Sequence, residues 1–250
     1  MKNRDNAKTS IVLVHGAFAD GSSWRKVISV LEKNGRTVTA LQIPLKSLTD
    51  DVATTKRAID AQKDDVILVG HSYGGLIMQL YASTYPQQVA GLVLVESVHA
   101  DQFRYPELHV GPIPPICQAL APFGIVRLFG LAPGYIAEYP PTAQPAAKAQ
   151  IYQTRFCQTA SDEYAALDES FAQVRAAQHP LGHLPLVVLT HGLPYLGSQG
   201  ERDWQALQRD LASLSSDSRS IIATRSEHYI QLEQPDLVLA AIKQVLTGTV

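Results

Sequence analysis

The sequence predicts an α/β fold in which a doubly wound, mostly parallel sheet carries an inserted helical lid. Short, continuously apolar runs alternate along the chain with amphipathic helical patterns. Apolar runs of this kind are typical of strands buried on both faces of a parallel sheet, and their alternation with helices indicates the doubly wound arrangement. One long segment breaks the alternation, and 250 residues suffice for one large domain with an insertion.

Six apolar runs are the predicted strands, and three amphipathic patterns are the predicted helices of the first half. The runs are "SIVLVH" (10–15), "RTVTAL" (36–41), "DVILVG" (65–70), "AGLVLV" (90–95), "LPLVVLT" (184–190) and "SRSIIAT" (218–224). The helical patterns cover 24–33, 50–62 and 75–85. Asn34-Gly35 ends the first helix and Pro86 ends the third, as glycine and proline do at helix termini.

The segment 101–180 differs from the rest in composition. It holds ten of the 15 prolines and ten of the 18 aromatic residues. An 80-residue loop without structure is improbable inside a compact domain, and helical patterns cover 145–158 and 161–177. We therefore predict a core of 1–100 and 181–250 with a helical lid at 101–180. The lid aromatics either line a cavity or pack the lid onto the body.

Composition excludes several classes of function. The net charge of −2 leaves no basic surface for phosphates, so nucleic acid is not an expected partner. The first ten residues are polar and lack the apolar region of a signal peptide, and no apolar run approaches the ~18 residues of a membrane span. Cys117 and Cys157 are too few and too far apart for a disulfide framework or a metal cage. We expect two buried or half-buried thiols in a reducing cytoplasm, and no metal.

The pentapeptide Gly70-His71-Ser72-Tyr73-Gly74 lies between a predicted strand and a predicted helix. This context favours a nucleophile elbow, in which a sharp strand-to-helix turn holds the serine hydroxyl clear of the sheet. The positive end of the helix then favours negative charge developing at the site. The alternative is a serine that only caps a helix after a glycine-rich turn. We interpret Ser72 as a catalytic nucleophile.

A serine nucleophile needs a proton acceptor that titrates near neutral pH, which makes histidine the first choice. Of the eight histidines, His228 follows the last predicted strand, where this kind of fold places its base. His71 lies inside the elbow and should point away from the serine, and His15 is expected to fix its loop. Surface or packing roles are expected for the rest, which are His99, His109, His179, His183 and His191.

In a catalytic triad, an acidic residue completes the serine and the histidine, and this acid is harder to place in the sequence. After the strand "LPLVVLT", the positions where an acid is usual hold Leu193, Pro194, Tyr195 and Leu196. Glu201 and Asp203 lie further on, at the start of a helix, where acidic residues are favoured in any case. Glu96 directly follows a buried strand, so its carboxylate should leave the sheet on the same edge as Ser72. We predict Glu96 as the acid, with Asp203 and Asp101 as alternatives.

With these motifs in place, the chain resembles the α/β-hydrolase superfamily over essentially its whole length. The stretch from "HGAFADGSSW" to "GHSYGG" is similar to small bacterial esterases and to the plant methyl esterase and hydroxynitrile lyase group, and the remainder resembles lidded bacterial esterases and lipases. The turn "VLVHGAF" resembles the family's oxyanion-hole turn, which implies the N–H groups of Ala17 and Tyr73 as donors. The position of this acid, at the end of the strand before the lid, resembles the arrangement in a group of haloalkane dehalogenases.

The resemblance implies a cofactor-free serine hydrolase that cleaves carboxylic esters, with short or medium acyl chains or aromatic groups, as its small-molecule substrates. A lyase that cleaves cyanohydrins is an alternative, although such enzymes usually need a lysine near the cavity and none lies between 64 and 147. A non-catalytic ligand-binding member of the fold is the other alternative, since fold alone does not fix function. Oligomeric state is not indicated.

Overall fold

A parallel sheet of six strands forms the centre of the part of the chain that the structure describes. The structure is a computed structural model and describes residues 9–17, 19–109, 111, 114–130, 136–137, 141 and 144–250. The strands are β1 (Ser10–Val14), β2 (Val38–Leu41), β3 (Val66–His71), β4 (Val89–Val95), β5 (Leu186–His191) and β6 (Ser218–Ala223). Their spatial order is β2-β1-β3-β4-β5-β6, and every neighbouring pair is parallel.

The described helices connect these strands. They are α1 (Arg25–Lys33), α2 (Leu48–Asp60), α3 (Tyr73–Thr84), α4 (Pro115–Leu120), α5 (Ile125–Leu128), α6 (Gln144–Ile151), α7 (Phe156–Ala165), α8 (Leu167–Ala177), α9 (Ser198–Ser213), α10 (Ile230–Glu233) and α11 (Pro235–Thr247). Short 3₁₀ helices cover Gly21–Trp24, Pro86–Gln88, Gln102–Arg104, Pro106–Leu108 and Ala121–Phe123. The three helices predicted for the first half are all present, and none of their ends is shifted by more than two residues.

Helices cover both faces of the sheet, so the predicted doubly wound α/β fold is confirmed. One core cluster joins the strands to α2, α3 and α9, and the other joins them to α1 and α11. Buried residues fill β1, β3, β4 and β5 without interruption, which explains why their sequences read as continuous apolar runs.

The order of the strands determines where a ligand can bind. The chain proceeds from β1 outward to β2 and then returns to β3 on the other side of β1. In open α/β sheets, ligands bind beyond the carboxyl ends of the strands at such a switch point. The segments that leave β1 and β3 are the "HGA" turn and the Ser72 elbow.

The segment between β4 and β5 is largely helical in its described part, but its helices differ from those predicted. The predicted helix 145–158 is interrupted after Ile151, and the chain resumes a helix at Phe156, whose N–H donates to the Gln153 carbonyl in a turn. The predicted helix 161–177 is divided between α7 and α8. Residues 131–135 and others of this segment lie outside the described part, as do the first eight residues of the chain. The division into core and lid stays a prediction.

The two cysteines are joined, which corrects the expectation of separate thiols. A disulfide links Cys117 of α4 to Cys157 of α7, with 5.8 Å between their Cα atoms. The expectation failed because the packing of α4 on α7, which a 40-residue separation in sequence does not reveal, brings the two residues together. The cytoplasmic location inferred alongside it stays a prediction.

Within the described residues, no helix has both the length and the apolar character needed to cross a membrane.

Candidate active site

Ser72 lies at the turn between β3 and α3 in a strained backbone conformation. Its φ of 51° and ψ of −121° place a residue with a side chain in a region that normally favours glycine. Gly74 allows the turn to form, because a Cβ at that position would lie 2.5 Å from the carbonyl oxygens of Val14 and His15. Strain of this kind persists where the surrounding structure enforces it, and it is concentrated at functional sites.

The turn after β1 packs directly against the serine. A Cβ on Gly16 would lie 2.8 Å from the Cβ of Ser72, so only glycine permits this approach. The next residue, Ala17, lines the same cavity as Ser72 and Tyr73. The Tyr73 N–H belongs to the first turn of α3, where no carbonyl within the helix is available to it.

His228 follows β6 and lies beside the elbow. Its side chain is 27% exposed, and its ring centroid is 4.7 Å from that of His71. His71 Nε2 lies 3.0 Å from the His228 carbonyl oxygen, so a neutral His71 can donate to it and fix the backbone of the His228 loop. Burial and then the proximity of His228 lower the pKa of His71 to about 3, which keeps it neutral. The buried His71 ring is therefore engaged with the His228 backbone.

Ser72 and His228 open onto one cavity of about 380 Å³. It lies beneath the helices that follow β4, and most of its described lining is apolar or aromatic. The lining residues are Ala17, Ser72, Tyr73, Val98, Gln102, Glu107, Leu108, His109, Glu163, Tyr164, Leu167, Phe171, Tyr195, Leu196, Trp204, His228 and Tyr229. An apolar cavity with a few polar groups in one place is typical of a small-molecule site.

Glu96 is fully buried at the end of β4, where its φ of 47° is again in the left-handed region. Its Oε1 accepts hydrogen bonds from the backbone N–H of His191 (2.6 Å), the Thr190 hydroxyl (3.0 Å) and the Trp204 indole N–H (3.2 Å). Burial alone would raise the pKa of Glu96, but hydrogen bonds from His191 and His228 lower it to about 2. A buried carboxylate is thereby kept charged.

The second oxygen of Glu96 faces His228. Oε2 lies 3.5 Å from His228 Nδ1, and the Tyr195 hydroxyl donates to the same oxygen at 3.2 Å. That hydroxyl is also 3.3 Å from His228 Nδ1, so it bridges the two groups. Burial and then the charge of Glu96 raise the pKa of Tyr195, which keeps the phenol neutral. The predicted acid and the predicted base thus lie close together.

His191 and Tyr195 were missed by the sequence reasoning. His191 Nδ1 lies 3.0 Å from Glu96 Oε2, and its Nε2 lies 2.7 Å from Glu201 Oε2. Burial would lower the pKa of His191, but the two carboxylates raise it to about 8. His191 was expected only to pack, but it lies between the carboxylates of Glu96 and Glu201. Glu201 was explained only by its place at the start of a helix, but it also contacts His191. The sequence offered two signals for these residues. His191 ends β5, and Tyr195 stands at a position where an acid is usual.

The two alternative acids are engaged elsewhere. Asp203 is half-buried on α9 and accepts a hydrogen bond from Gln199 (2.8 Å). Asp101 lies 3.2 Å from the guanidinium of Arg104 and 3.8 Å from that of Arg175. Among the described carboxylates, only Glu96 lies within 4 Å of a ring nitrogen of His228.

Comparison with known proteins agrees with this architecture. A family model described as "Alpha/beta hydrolase family" matches residues 11–241, which span the whole sheet, the elbow and the His228 loop. The chain belongs to the alpha/beta hydrolase family.

Individual relatives match over a smaller part. Norfluorocurarine synthase 2 from Strychnos sp is 36% identical over 112 residues, which are 40% of this chain and 42% of that protein. Methylesterase 8 from Arabidopsis thaliana is 32% identical over 120 residues, 42% of this chain and 44% of that protein. The chain therefore matches less than half the length of these curated relatives.

A solved structure of a probable hydrolytic enzyme from Pseudomonas aeruginosa PAO1 superimposes with a TM-score of 0.69. The match covers 95% of this chain and 85% of that chain at 20% sequence identity. This likeness shows the α/β-hydrolase fold.

No group of three or more His, Cys, Asp or Glu side chains in the described part of the chain is arranged to hold a metal ion.

Proposed function

We propose that this protein is a serine hydrolase that cleaves carboxylic esters through Ser72, His228 and Glu96. One observation carries the proposal: an elbow serine and His228 share a cavity, while the buried Glu96 carboxylate lies 3.5 Å from His228 Nδ1. With Nδ1 directed at Glu96, Nε2 is the nitrogen left to face Ser72. This is the division of labour that activates a serine hydroxyl.

The proposed reaction has two steps. The Ser72 oxygen attacks the ester carbonyl carbon while His228 takes the hydroxyl proton, and the N–H groups of Ala17 and Tyr73 stabilise the oxyanion. The tetrahedral intermediate collapses, the C–O bond to the alcohol breaks, and His228 protonates the departing alcohol. Water then attacks the acyl group with His228 as base, which releases the carboxylic acid and restores Ser72.

Glu96 keeps its negative charge through the cycle because its hydrogen bonds stabilise the ionised form. It would fix the His228 ring and stabilise the imidazolium that forms when Ser72 reacts. Tyr195 would hold the same arrangement by bridging Glu96 and His228.

The substrate class follows from the cavity and is supported by a relative. An apolar cavity of about 380 Å³ suits short or medium acyl chains or aromatic groups. A matched relative named a methylesterase supports ester cleavage over other chemistry. The lyase alternative has less support, since no lysine occurs among the described residues that line the cavity.

The test is hydrolysis of p-nitrophenyl esters from acetate to octanoate by the parent and by Ser72→Ala. We expect the parent to prefer short or medium chains and the variant to lose at least about 10³-fold in kcat/KM, because no other group supplies the nucleophile. Ser83→Ala, at the far end of α3, is the matched control and should keep the parent rate. A Ser72→Ala protein with the parent rate would overturn the proposal.

A further inference from the structure

Glu163 is a buried carboxyl that the proposed reaction does not use. It lies on α7, is 4% exposed and lines the cavity that Ser72 shares. Neither of its carboxyl oxygens has a hydrogen-bond partner among the described residues. Buried polar groups in native proteins are nearly always partnered, so a group left unpartnered at a cavity wall indicates a partner that comes from the ligand.

Among the described residues that line the cavity, none gives Glu163 a compensating lysine or arginine charge. Asp51 is also fully buried, and its Oδ1 accepts the Leu45 N–H at 2.9 Å while its Oδ2 has no partner in the described part of the chain. Burial and then the charge of Asp51 raise the pKa of Glu163 to about 8. No lysine or arginine is found among the described residues that line the cavity. A cation entering the cavity would favour the ionised form of Glu163 and supply the positive charge that the described wall lacks.

The rest of the wall also suits a cation. Six aromatic side chains line the cavity together with Glu163, namely Tyr73, Tyr164, Phe171, Tyr195, Trp204 and Tyr229. The faces of aromatic rings attract ammonium groups, and the attraction increases when the site is shielded from water. Carboxyl and aromatic groups together are the combination that binds substituted ammonium ions.

We propose that Glu163 selects esters carrying an ammonium group, which it pairs with inside the cavity while the ester carbonyl reaches Ser72. The inference rests on the proposed function and adds a substrate class to it. Glu163 is a specificity residue in this proposal and takes no part in bond making. Glu107 also lines the cavity, but its side chain is exposed to water. Because water screens its charge, it distinguishes cationic from neutral esters less well than Glu163 does.

The test compares two ligands that differ in one charged atom. The 2-(trimethylammonio)ethyl ester of butanoic acid and its 3,3-dimethylbutyl ester have nearly the same shape, but only the first is a cation. Their dissociation constants are measured by titration calorimetry on the full-length Ser72→Ala protein, in which neither ester is turned over. We expect the cationic ester to bind at least about tenfold more tightly.

Variants then assign the preference to Glu163. In the Ser72→Ala background, Glu163→Gln should bring the two dissociation constants within about twofold. Asp162→Asn removes the same charge from an exposed neighbour on α7 and should keep the full preference. Glu163→Met, uncharged and of similar length, provides the same comparison if the glutamine variant does not fold.

Equal affinities in the Ser72→Ala protein, or a preference that survives Glu163→Gln, would overturn the inference. Because binding is measured without turnover, its outcome is independent of the proposed function. Selective binding of the cation by the Ser72→Ala protein, together with a parent that cleaves no ester, would overturn the proposed function alone. Equal binding of both ligands by the Ser72→Ala protein, together with a parent that cleaves neutral esters, would overturn only the role of Glu163.

Discussion

The Glu96 carboxylate collects more hydrogen bonds than an ordinary strand-end residue needs. Its two oxygens accept from Thr190, Trp204, Tyr195 and both the backbone and the ring of His191. Moving an unpaired charge out of water is costly, and these donors offset that cost. They also hold the carboxylate in one position relative to His228, which is what a residue acting through the base requires.

Replacing this charge tests its role at the scale of the residue. We expect Glu96→Gln to lower kcat for p-nitrophenyl butanoate by at least about a hundredfold, because the amide cannot stabilise the imidazolium of His228. Asp203→Asn removes a carboxylate that contacts Gln199 on α9 and should leave kcat unchanged. The proposed role of Glu96 fails if its variant keeps the parent rate, or if Asp203→Asn shows the larger loss.

Sequence reasoning reached Ser72, Glu96 and His228 because each follows a strand, and parallel strands bring their carboxyl ends to one edge. It did not reach Tyr195 or His191. Tyr195 contributes through its hydroxyl in a position where the pattern called for an acid, and only the fold shows that this hydroxyl lies between Glu96 and His228. The burial of Glu163 depends on the packing of α7 over the cavity, which no local pattern encodes.

At the scale of the element, the β3–α3 turn depends on the close approach of two backbone segments. A methyl group at Gly74 would collide with the carbonyls of Val14 and His15 at 2.5 Å. We expect Gly74→Ala to reduce the free energy of unfolding by about 1–3 kcal/mol and to impair esterase activity together with it. Chemical denaturation and p-nitrophenyl butanoate hydrolysis measure the two effects.

Gly197→Ala is the matched control for this substitution. A Cβ at Gly197 meets no atom within 4 Å, and its φ of −62° suits any residue. This variant should change stability by less than about 1 kcal/mol and keep the parent activity. If Gly74→Ala were as well tolerated as Gly197→Ala, the close approach would not constrain the elbow.

The elements differ in how well their sequences predict them. All six predicted strands are present, and the four central ones, β1, β3, β4 and β5, are buried on both faces and read as continuous apolar runs. The edge strands β2 and β6 are partly exposed, and their runs contain polar residues. The helices after β4 are short and pack on one another and on the body, so periodicity alone placed the helix boundaries incorrectly. The Cys117–Cys157 disulfide is a consequence of the same packing and had no local signal.

At the scale of the whole molecule, three buried groups make stability decrease as the pH rises. Protonated His191 is stabilised by Glu96 and Glu201, so its contribution is complete below pH 6.5 and is lost as the pH rises through about 8. Glu163, with a pKa raised to about 8, and Asp51, with a pKa raised to about 7, favour the neutral form in the folded state. Their unfolded forms ionise above about pH 4, so both reduce stability as the pH rises from there.

Two other groups act in the opposite direction at acid pH. The pKa of His71 is lowered to about 3, so stability is lost as the pH falls from 6.5 toward that value. The pKa of Glu96 is lowered to about 2, so its contribution is lost below about pH 4.5. In the window from pH 4.5 to 6.5 the losses from Glu163 and Asp51 exceed the gain from His71, so we expect stability to be highest near about pH 4.5–5 and to decrease above it. Urea denaturation across pH 4–9 measures this profile.

The free energy of unfolding should fall by less between pH 5 and 8 in Glu163→Gln than in the parent. We expect the difference to exceed about 1 kcal/mol, because the amide does not titrate. Asp162→Asn, an exposed neighbour, should keep the parent slope. A parent protein whose stability increases steadily from pH 5 to 9 would contradict this assignment of the buried charges.

The central claim is that Ser72 is a nucleophile activated by His228 and Glu96, and covalent labelling tests it most directly. A fluorophosphonate is incubated with the parent, and the modified residue is located by peptide mass spectrometry. We expect one adduct, on Ser72, that forms far more slowly in Glu96→Gln and not at all in Ser72→Ala. An unlabelled parent, or an adduct on a different residue, would contradict it.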